Sequence, residues 1–369
     1  MTMSRHPALL NYSAHALDEL NALIPRIKSD MPGIRRAHEA VAGYLHQSVK
    51  FLLPNCADVL DLGELRQVHI DMARLPYPVV ALEAPWILED GMGGDKLPGV
   101  RSSRRIALCL SMDEAVASAF PDTARFLDEP AGGVVVIPVS WVSAERTWKL
   151  PIGAVYVPYN NDVSLYHADE ADLPTRLVNE PLREAGVAPG MLRQFRVAPF
   201  ALLPEWHAWE SARRDTARLR ADIVHSCRDE VAMLIQTCCV LNCANVQAAT
   251  VDPPEALNRH RVRAGKQPFF SYRVLELTVR GAADAADGAG GQHASPRAHL
   301  RRGHIRRVGD RVIWVRAALV NADSATGRVE KTYQIAPPAA AAAPPSGPSV
   351  DADAGCPSSN VPEPAAPEE

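Results

Sequence analysis

The chain has 369 residues, of which 47% are apolar, 22% charged and 6% aromatic, and its formal net charge is −4. That composition is ordinary for a globular protein. No apolar run approaches the ~18 residues a membrane-spanning helix needs, and residues 1–12 lack the apolar core of a signal peptide, so a protein of the host cytoplasm without membrane contact is expected.

Residues 1–73 read as helical. Leu17, Leu20, Leu23 and Ile24 recur at three- and four-residue spacing and make one apolar stripe. Asp30 and Pro32 suit the start of a second helix, with Val41, Tyr44, Leu45, Val49 and Leu52 on one side. A third, short helix is expected over residues 62–72. The pattern then changes to β-branched runs bounded by Pro and Gly, at residues 77–83, 105–110, 133–142 and 152–159, which read as strands of a sheet. Pro78, Pro138 and Pro158 inside or beside these runs favour strand ends, bulges or edges. The Gly-rich stretch 90–100 matches no phosphate-binding pattern and reads as a surface loop.

Residues 206–242 read as one long helical tract with at most one break, charged in its first half and apolar in its second. Arg213, Arg214, Arg218 and Arg220 in that first half fit a solvated face, with nucleic acid as the second reading. Seven cysteines occur without a C-x-x-C pair. Cys239 and Cys243, four apart among apolar neighbours, read as buried filler, with a soft-metal or redox site as the alternative. His69, His225 and His260 are isolated and read as structural or exposed. A strand is expected over residues 269–279, a loop over 281–295, and an antiparallel set over 300–308, 311–320 and 329–335. Beyond Ala336 the Pro/Ala/Ser composition has little to bury and reads as a disordered tail.

Charge is unevenly spread. Residues 255–335 carry 15 Lys and Arg against 7 Asp and Glu, a net of +8, while the tail from Ala336 carries 5 acids and no base. An acidic body with a basic C-terminal module is a division suited to an anionic partner. The basic residues concentrate in P-R-A-H-L-R-R-G-H-I-R-R-V-G-D-R-V-I-W-V-R, residues 296–316. Arg297, His299, Arg301, Arg302, Gly303, His304, Arg306, Arg307 and Trp314 are the candidate binding residues.

As a strand, this stretch alternates Arg302, His304 and Arg306 on one face with His299, Arg301 and Arg307 on the other. Each face is a row of donors fit to position phosphates, and Trp314 would stack on a base or pack under the sheet. Two histidines flanked by arginine also suit phosphodiester cleavage. Residues five apart point to opposite faces, so that chemistry would need a bulge or bend at Gly303. Three classes stay open: RNA or other anion binding, a ribonuclease-like enzyme using His304 and His299, and a non-enzymatic module for an acidic protein partner. No metal-binding pattern occurs, and neither a cofactor nor a catalytic residue is assigned.

The H-L-R-R-G-H-I-R-R segment, followed by R-V-I-W-V-R-A-A-L-V-N, resembles the C-terminal end of a phage and plasmid family that includes a type V-A anti-CRISPR protein. His299, Arg301, Arg302, Gly303, His304 and Trp314 carry that resemblance. Residues 75–83 (L-P-Y-P-V-V-A-L-E) are similar to the family's strand ending in an acid, and the acidic-Pro turn at Asp252 and Pro253 falls in the expected order. The family usually has an aromatic where this chain has Ile305, and the long tail has no counterpart there. The resemblance implies a protein of a phage or other mobile element. Its anti-CRISPR member recognises the start of the nascent effector, whose message is then degraded. It thus implies RNA or a nascent-chain–ribosome complex as partner, with the acidic body offered to a basic peptide.

The expectation is therefore an α+β protein: N-terminal helices, a central mixed or antiparallel sheet, a long core helix, a small C-terminal antiparallel sheet and the tail. The division expected is an acidic body over residues 1–250, a basic β module over 251–335 packed on it, and the tail over 336–369.

Overall fold

Runs of Val, Ile, Leu and Ala in the central strands mark a sheet covered on both faces, where every side chain must be apolar or specifically paired. The computed structural model describes residues 10–59, 65–87, 102–166, 176–178, 191–243 and 246–277, with the backbone of four short strands at 299–301, 304–308, 311–315 and 318–320. The tail falls outside these residues. Residues 1–335 form one compact unit.

The strands of the main sheet are β1 (Val49–Leu52), β2 (Val79–Pro85), β3 (Ser102–Ser111), β4 (Gly133–Val142), β5 (Thr147–Lys149) and β6 (Gly153–Pro158). Further along the chain, β10 (Ala198–Ala201), β11 (Val246–Val251) and β12 (Tyr272–Leu277) join them. Their order is β10-β6-β4-β3-β2-β1-β12-β11, with β5 beside β4. β1 runs parallel to both β2 and β12, and the other pairs are antiparallel, so the sheet is mixed. A separate small sheet has the order β7 (Ser164–Leu165), β9 (Arg193–Arg196), β8 (Arg176–Val178).

Period-two alternation divides the core. Ala81, Ile106, Leu108, Val135, Ile137 and Tyr156 pack under α1 (Tyr12–Leu23) and α2 (Pro32–Gln47). Val80, Leu82, Ala107, Cys109, Val134 and Val136 face the opposite way. They meet α6 (Thr216–Ser226) and α7 (Arg228–Leu241), which contribute Leu219, Ile223, Val231, Leu234 and Ile235. Shorter helices are α3 (Gln67–Asp71), α4 (Glu114–Ala119), α5 (Pro204–Ser211) and α8 (Glu255–Arg263). None of the described helices is long and apolar enough to cross a membrane.

The fold is thus α+β, with N-terminal helices, a mixed sheet and a core helix as expected. Local boundaries differ: among the described residues the short helix expected over 62–72 is Gln67–Asp71, the strand expected over 269–279 starts at Tyr272, and Asp30 does not cap the second helix, whose N-cap position is Met31. The second helix was expected to continue through Leu52, but it stops at Gln47, Ser48 turns extended, and Val49–Leu52 becomes β1. Those four residues gain two strand neighbours, which helical periodicity cannot register. The tract 206–242 is three helices. Asp215 opens α6 by accepting from the Arg218 backbone N–H at 2.8 Å, and Cys227 lies between α6 and α7 with ψ near 0°. Pro138 sits where β4 changes neighbours, from β6 at Gly133–Val136 to β5 at Ser140–Val142; Pro158 ends β6, and Pro78 lies just ahead of β2.

Both N-terminal helices lack a capping side chain of their own. For α2 the cap is Glu205, whose carboxylate accepts from the N–H groups of Gly33 at 2.6 Å and Ile34 at 2.9 Å. A Cβ on Gly33 would come within 2.8 Å of that carboxylate, so a glycine is needed for the close approach.

Candidate functional site

The basic stretch forms two antiparallel ladders. β13 (His299–Arg301) pairs with β16 (Ala318–Val320), His299 opposite Val320 and Arg301 opposite Ala318. β14 (His304–Val308) pairs with β15 (Arg311–Val315), placing His304 opposite Val315, Ile305 opposite Trp314, Arg306 opposite Ile313 and Arg307 opposite Val312. His299 and His304 therefore belong to different ladders. His304 and Arg306 are alternate residues of β14, and Arg307 belongs to the other alternation. Arg297, Arg302 and Gly303 lie outside the described residues, as do the strand expected over 329–335 and the loop over 281–295.

A second polar constellation is buried in the body, under the N-terminal helices. Glu83 stands near the end of β2, between Leu52 of β1 and Ile106 of β3, and is completely buried. Its Oε2 accepts from the Tyr12 backbone N–H at 2.8 Å and its Oε1 from the Ser13 N–H at 2.9 Å. It thus caps α1 from 70 residues away, while Asn11, in the left-handed region with φ 55°, turns the chain into the helix. A negative charge at a helix N-terminus is favourable. The Tyr272 hydroxyl of β12 donates to the same carboxylate at 2.8 Å. Burial pushes the Glu83 carboxyl up, against the bonds from Ser13, Tyr272 and Tyr12. Burial and the Glu83 charge together push the Tyr272 phenol up.

Lys50 lies beside this centre, on the neighbouring strand and only 3% exposed. Its ammonium donates to the carbonyls of His46 at 2.9 Å and Ser48 at 2.7 Å, and lies 3.6 Å from the centre of the Phe270 ring. Burial lowers its pKa to about 8, opposed by the charge on Glu83. Asp18 of α1 holds both α8 and the segment after it, accepting from the Arg261 guanidinium at 2.6 Å and the Gln267 N–H at 2.9 Å. These contacts join the first helices to residues 255–277. The arrangement closes three donors on one carboxylate and leaves no open face for a substrate, so it is a structural centre.

The sequence model of the AcrVA2-like family, anti-CRISPR type V subtype A2, matches residues 54–322. The chain belongs to this family. Its membership agrees with the resemblance carried by residues 299–314 and supports a counter-defence protein. No curated protein and no solved structure matches the chain.

The AcrVA2-like segment includes β2 with Glu83, the core helix α7, β12 with Tyr272 and the four short strands β13 to β16. Tyr12, Ser13 and Lys50 precede it, yet they complete the polar centre around Glu83. A lone acid closing an apolar strand (V-V-A-L-E) was the sequence signal for that centre. Lys50 gave none, because its burial depends on β12 arriving from 220 residues away.

The remaining candidates are structural. Cys239 and Cys243 are buried and reduced; their thiols donate to the carbonyls of His69 and Cys239, each at 3.1 Å. Burial raises both pKa values, that of Cys243 to about 11, so neither is poised as a thiolate. The described residues hold no group of three or more His, Cys, Asp or Glu suited to a metal. His69 is buried, and its Nδ1 accepts from the Arg66 backbone N–H at 3.1 Å, while His225 meets the Arg228 guanidinium.

Proposed function

We propose that this AcrVA2-like protein lowers expression of its target by engaging RNA, or a ribosome carrying the nascent target, through residues 297–314. The observation that carries the reading is the charge. Seven arginines and two histidines fall within residues 297–316 beside one acid, Asp310, in a chain of net charge −4. Arginines on paired strands, spaced by a fixed backbone, suit phosphate contacts that position a nucleic acid rather than read its sequence. Binding, not bond cleavage, is the role assigned to them. The acidic body would take a basic nascent peptide, and the setting is the cytoplasm of a host carrying a phage or other mobile element.

The test is binding of single-stranded RNA to the full chain by fluorescence anisotropy at increasing salt, beside Arg301→Ala/Arg306→Ala/Arg307→Ala. Affinity should fall steeply with salt, and each lost phosphate contact should reduce the logarithmic slope by roughly 0.7. Absence of binding at low salt, or affinity indifferent to salt, would overturn the reading.

A further inference from the structure

Outside the closed centre around Glu83, cations converge on one histidine. His15 stands at the end of the first turn of α1, half-buried, its ring edge-on to Phe269 with 5.6 Å between centres. Arg261 of α8, Arg104 of β3 and Lys266 beyond α8 all bear on it, against a single acid among the described residues, Asp18. Burial and then these three cations hold the imidazole below its ordinary pKa, so it is neutral at pH 7.

Of the three cations, only Arg261 is matched. It pairs with Asp18 at 2.6 Å and lies over the Phe269 ring, while the second Asp18 oxygen takes the Gln267 N–H at 2.9 Å. The next acids are committed elsewhere. Glu83 is enclosed by its three donors, with Lys50 beside it, and Glu19 turns to β5, accepting from the Thr147 hydroxyl and the Trp148 N–H at 2.9 Å. Counting Lys50, four cations therefore stand against three acids in this region, and around His15 itself three stand against one. Arg104 and Lys266 have no acid partner among the described residues. Lys266 is exposed, whereas Arg104 is half-buried and fixed: its guanidinium lies 4.9 Å from the centre of the Trp141 ring and 5.8 Å from that of Tyr12. A guanidinium stacked on aromatic faces keeps its N–H edge for a bidentate anion and loses little freedom when one binds.

We infer that Arg104, Lys266 and His15 form a binding site for a phosphate monoester, separate from the basic strands. The Arg104 fork takes two phosphate oxygens, Lys266 meets the second charge, and His15 donates to the third oxygen once it gains a proton. A phosphate monoester carries roughly 1.5 to 2 negative charges at neutral pH, which two unmatched cations balance. A carboxylate would leave one of them unmatched. Binding therefore takes up a proton at His15, against the charges of Arg261, Arg104 and Lys266 and with that of Asp18.

The experiment is titration calorimetry of the full chain with uridine 5′-monophosphate, inorganic phosphate and acetate at matched ionic strength. Lys266→Gln alters an exposed, unmatched side chain and should unfold at the parent's temperature, yet bind the nucleotide roughly five-fold more weakly. Arg104→Lys, which keeps the charge and loses the fork, should weaken it roughly ten-fold. Affinity should rise as pH falls from about 8 to about 6.5, and that rise should vanish in His15→Gln. Arg301→Ala/Arg306→Ala/Arg307→Ala should bind the nucleotide as the parent does, so failure here is distinct from failure of the proposed function. Tighter binding of a 5′-phosphorylated than of a 5′-hydroxyl oligouridylate assigns an RNA end to the site; nucleotide and phosphate binding without that difference assigns a free phosphate monoester. Either result supports the site. No binding of nucleotide or phosphate up to about 10 mM, equal binding of acetate, or parent-like affinity in both Lys266→Gln and Arg104→Lys overturns it.

Discussion

The two faces of the central sheet each bury one glutamate completely, and they do so by different means. Under α1, Glu83 is met by two backbone N–H groups and a tyrosine hydroxyl, so both of its oxygens are occupied. On α7, Glu230 depends on one guanidinium: its Oε1 is 3.2 Å from Arg105, and its Oε2 has no partner among the described residues. Arg105 is shared with Asp229 at 2.9 Å and lies 4.6 Å from the Trp86 ring. The first carboxylate is solvated by two backbone dipoles and a hydroxyl; the second is balanced by a side-chain countercharge. Burial raises both pKa values, but only for Glu230 is a charge, that of Arg105, the chief opposing influence.

The largest effect should come from removing that countercharge. Arg105→Ala leaves Glu230 buried with no cation, and a loss of about 3–5 kcal/mol is expected in denaturant unfolding. The paired replacement Arg105→Met/Glu230→Leu should recover most of it, because an apolar pair of similar volume needs no compensation. A double variant no more stable than Arg105→Ala would remove the contrast between the two faces.

Next is the lysine beside Glu83. Lys50 has a folded pKa of about 8 against an ordinary 10.5, so between these values the unfolded chain holds a proton the folded chain lacks. Stability should therefore rise from pH 8 to 10.5 by up to about 3 kcal/mol, and this contribution is lost as pH falls through 8. Lys50→Met should flatten that part of the profile. Identical slopes in the two proteins would show that the ammonium is not desolvated by the packing of β12 and Phe270.

The smallest and sharpest comparison uses one substitution at both sites. Glu83→Gln places an amide N–H₂ against a backbone N–H, and a cost of roughly 1–3 kcal/mol is expected. Glu230→Gln turns its amide nitrogen toward the position where Oε2 has no partner and removes a buried charge, while Arg105 keeps Asp229. Its cost should stay below about 1 kcal/mol. Equal costs in thermal or denaturant unfolding would mean the two carboxylates are held alike.

Much of this was legible locally. The runs V-V-A-L-E, R-I-A-L-C-L and G-V-V-V-I-P-V-S-W-V are strands because β-branched and apolar residues fit a pleat covered on both sides, and the three prolines fall at strand ends or a change of partner. The cysteines of α7 were legible as filler from their neighbours. The candidate basic residues were visible as charge alone, and the backbone divides the described ones, His299 and Arg301 against His304, Arg306 and Arg307, between two ladders.

The amino-acid sequence by itself determined the α+β class, the position of the main strands, the concentration of positive charge and, in the match over residues 54–322, the family. Only the tertiary structure decided that Val49–Leu52 leaves the helix to lie between β2 and β12, that Glu83 caps α1, and that Glu205 caps α2. The physical reason is the range of the interactions. Periodicity and propensity report what a residue's near neighbours require, whereas these features are hydrogen bonds and ladders between segments 30 to 220 residues apart, formed when the chain is closed.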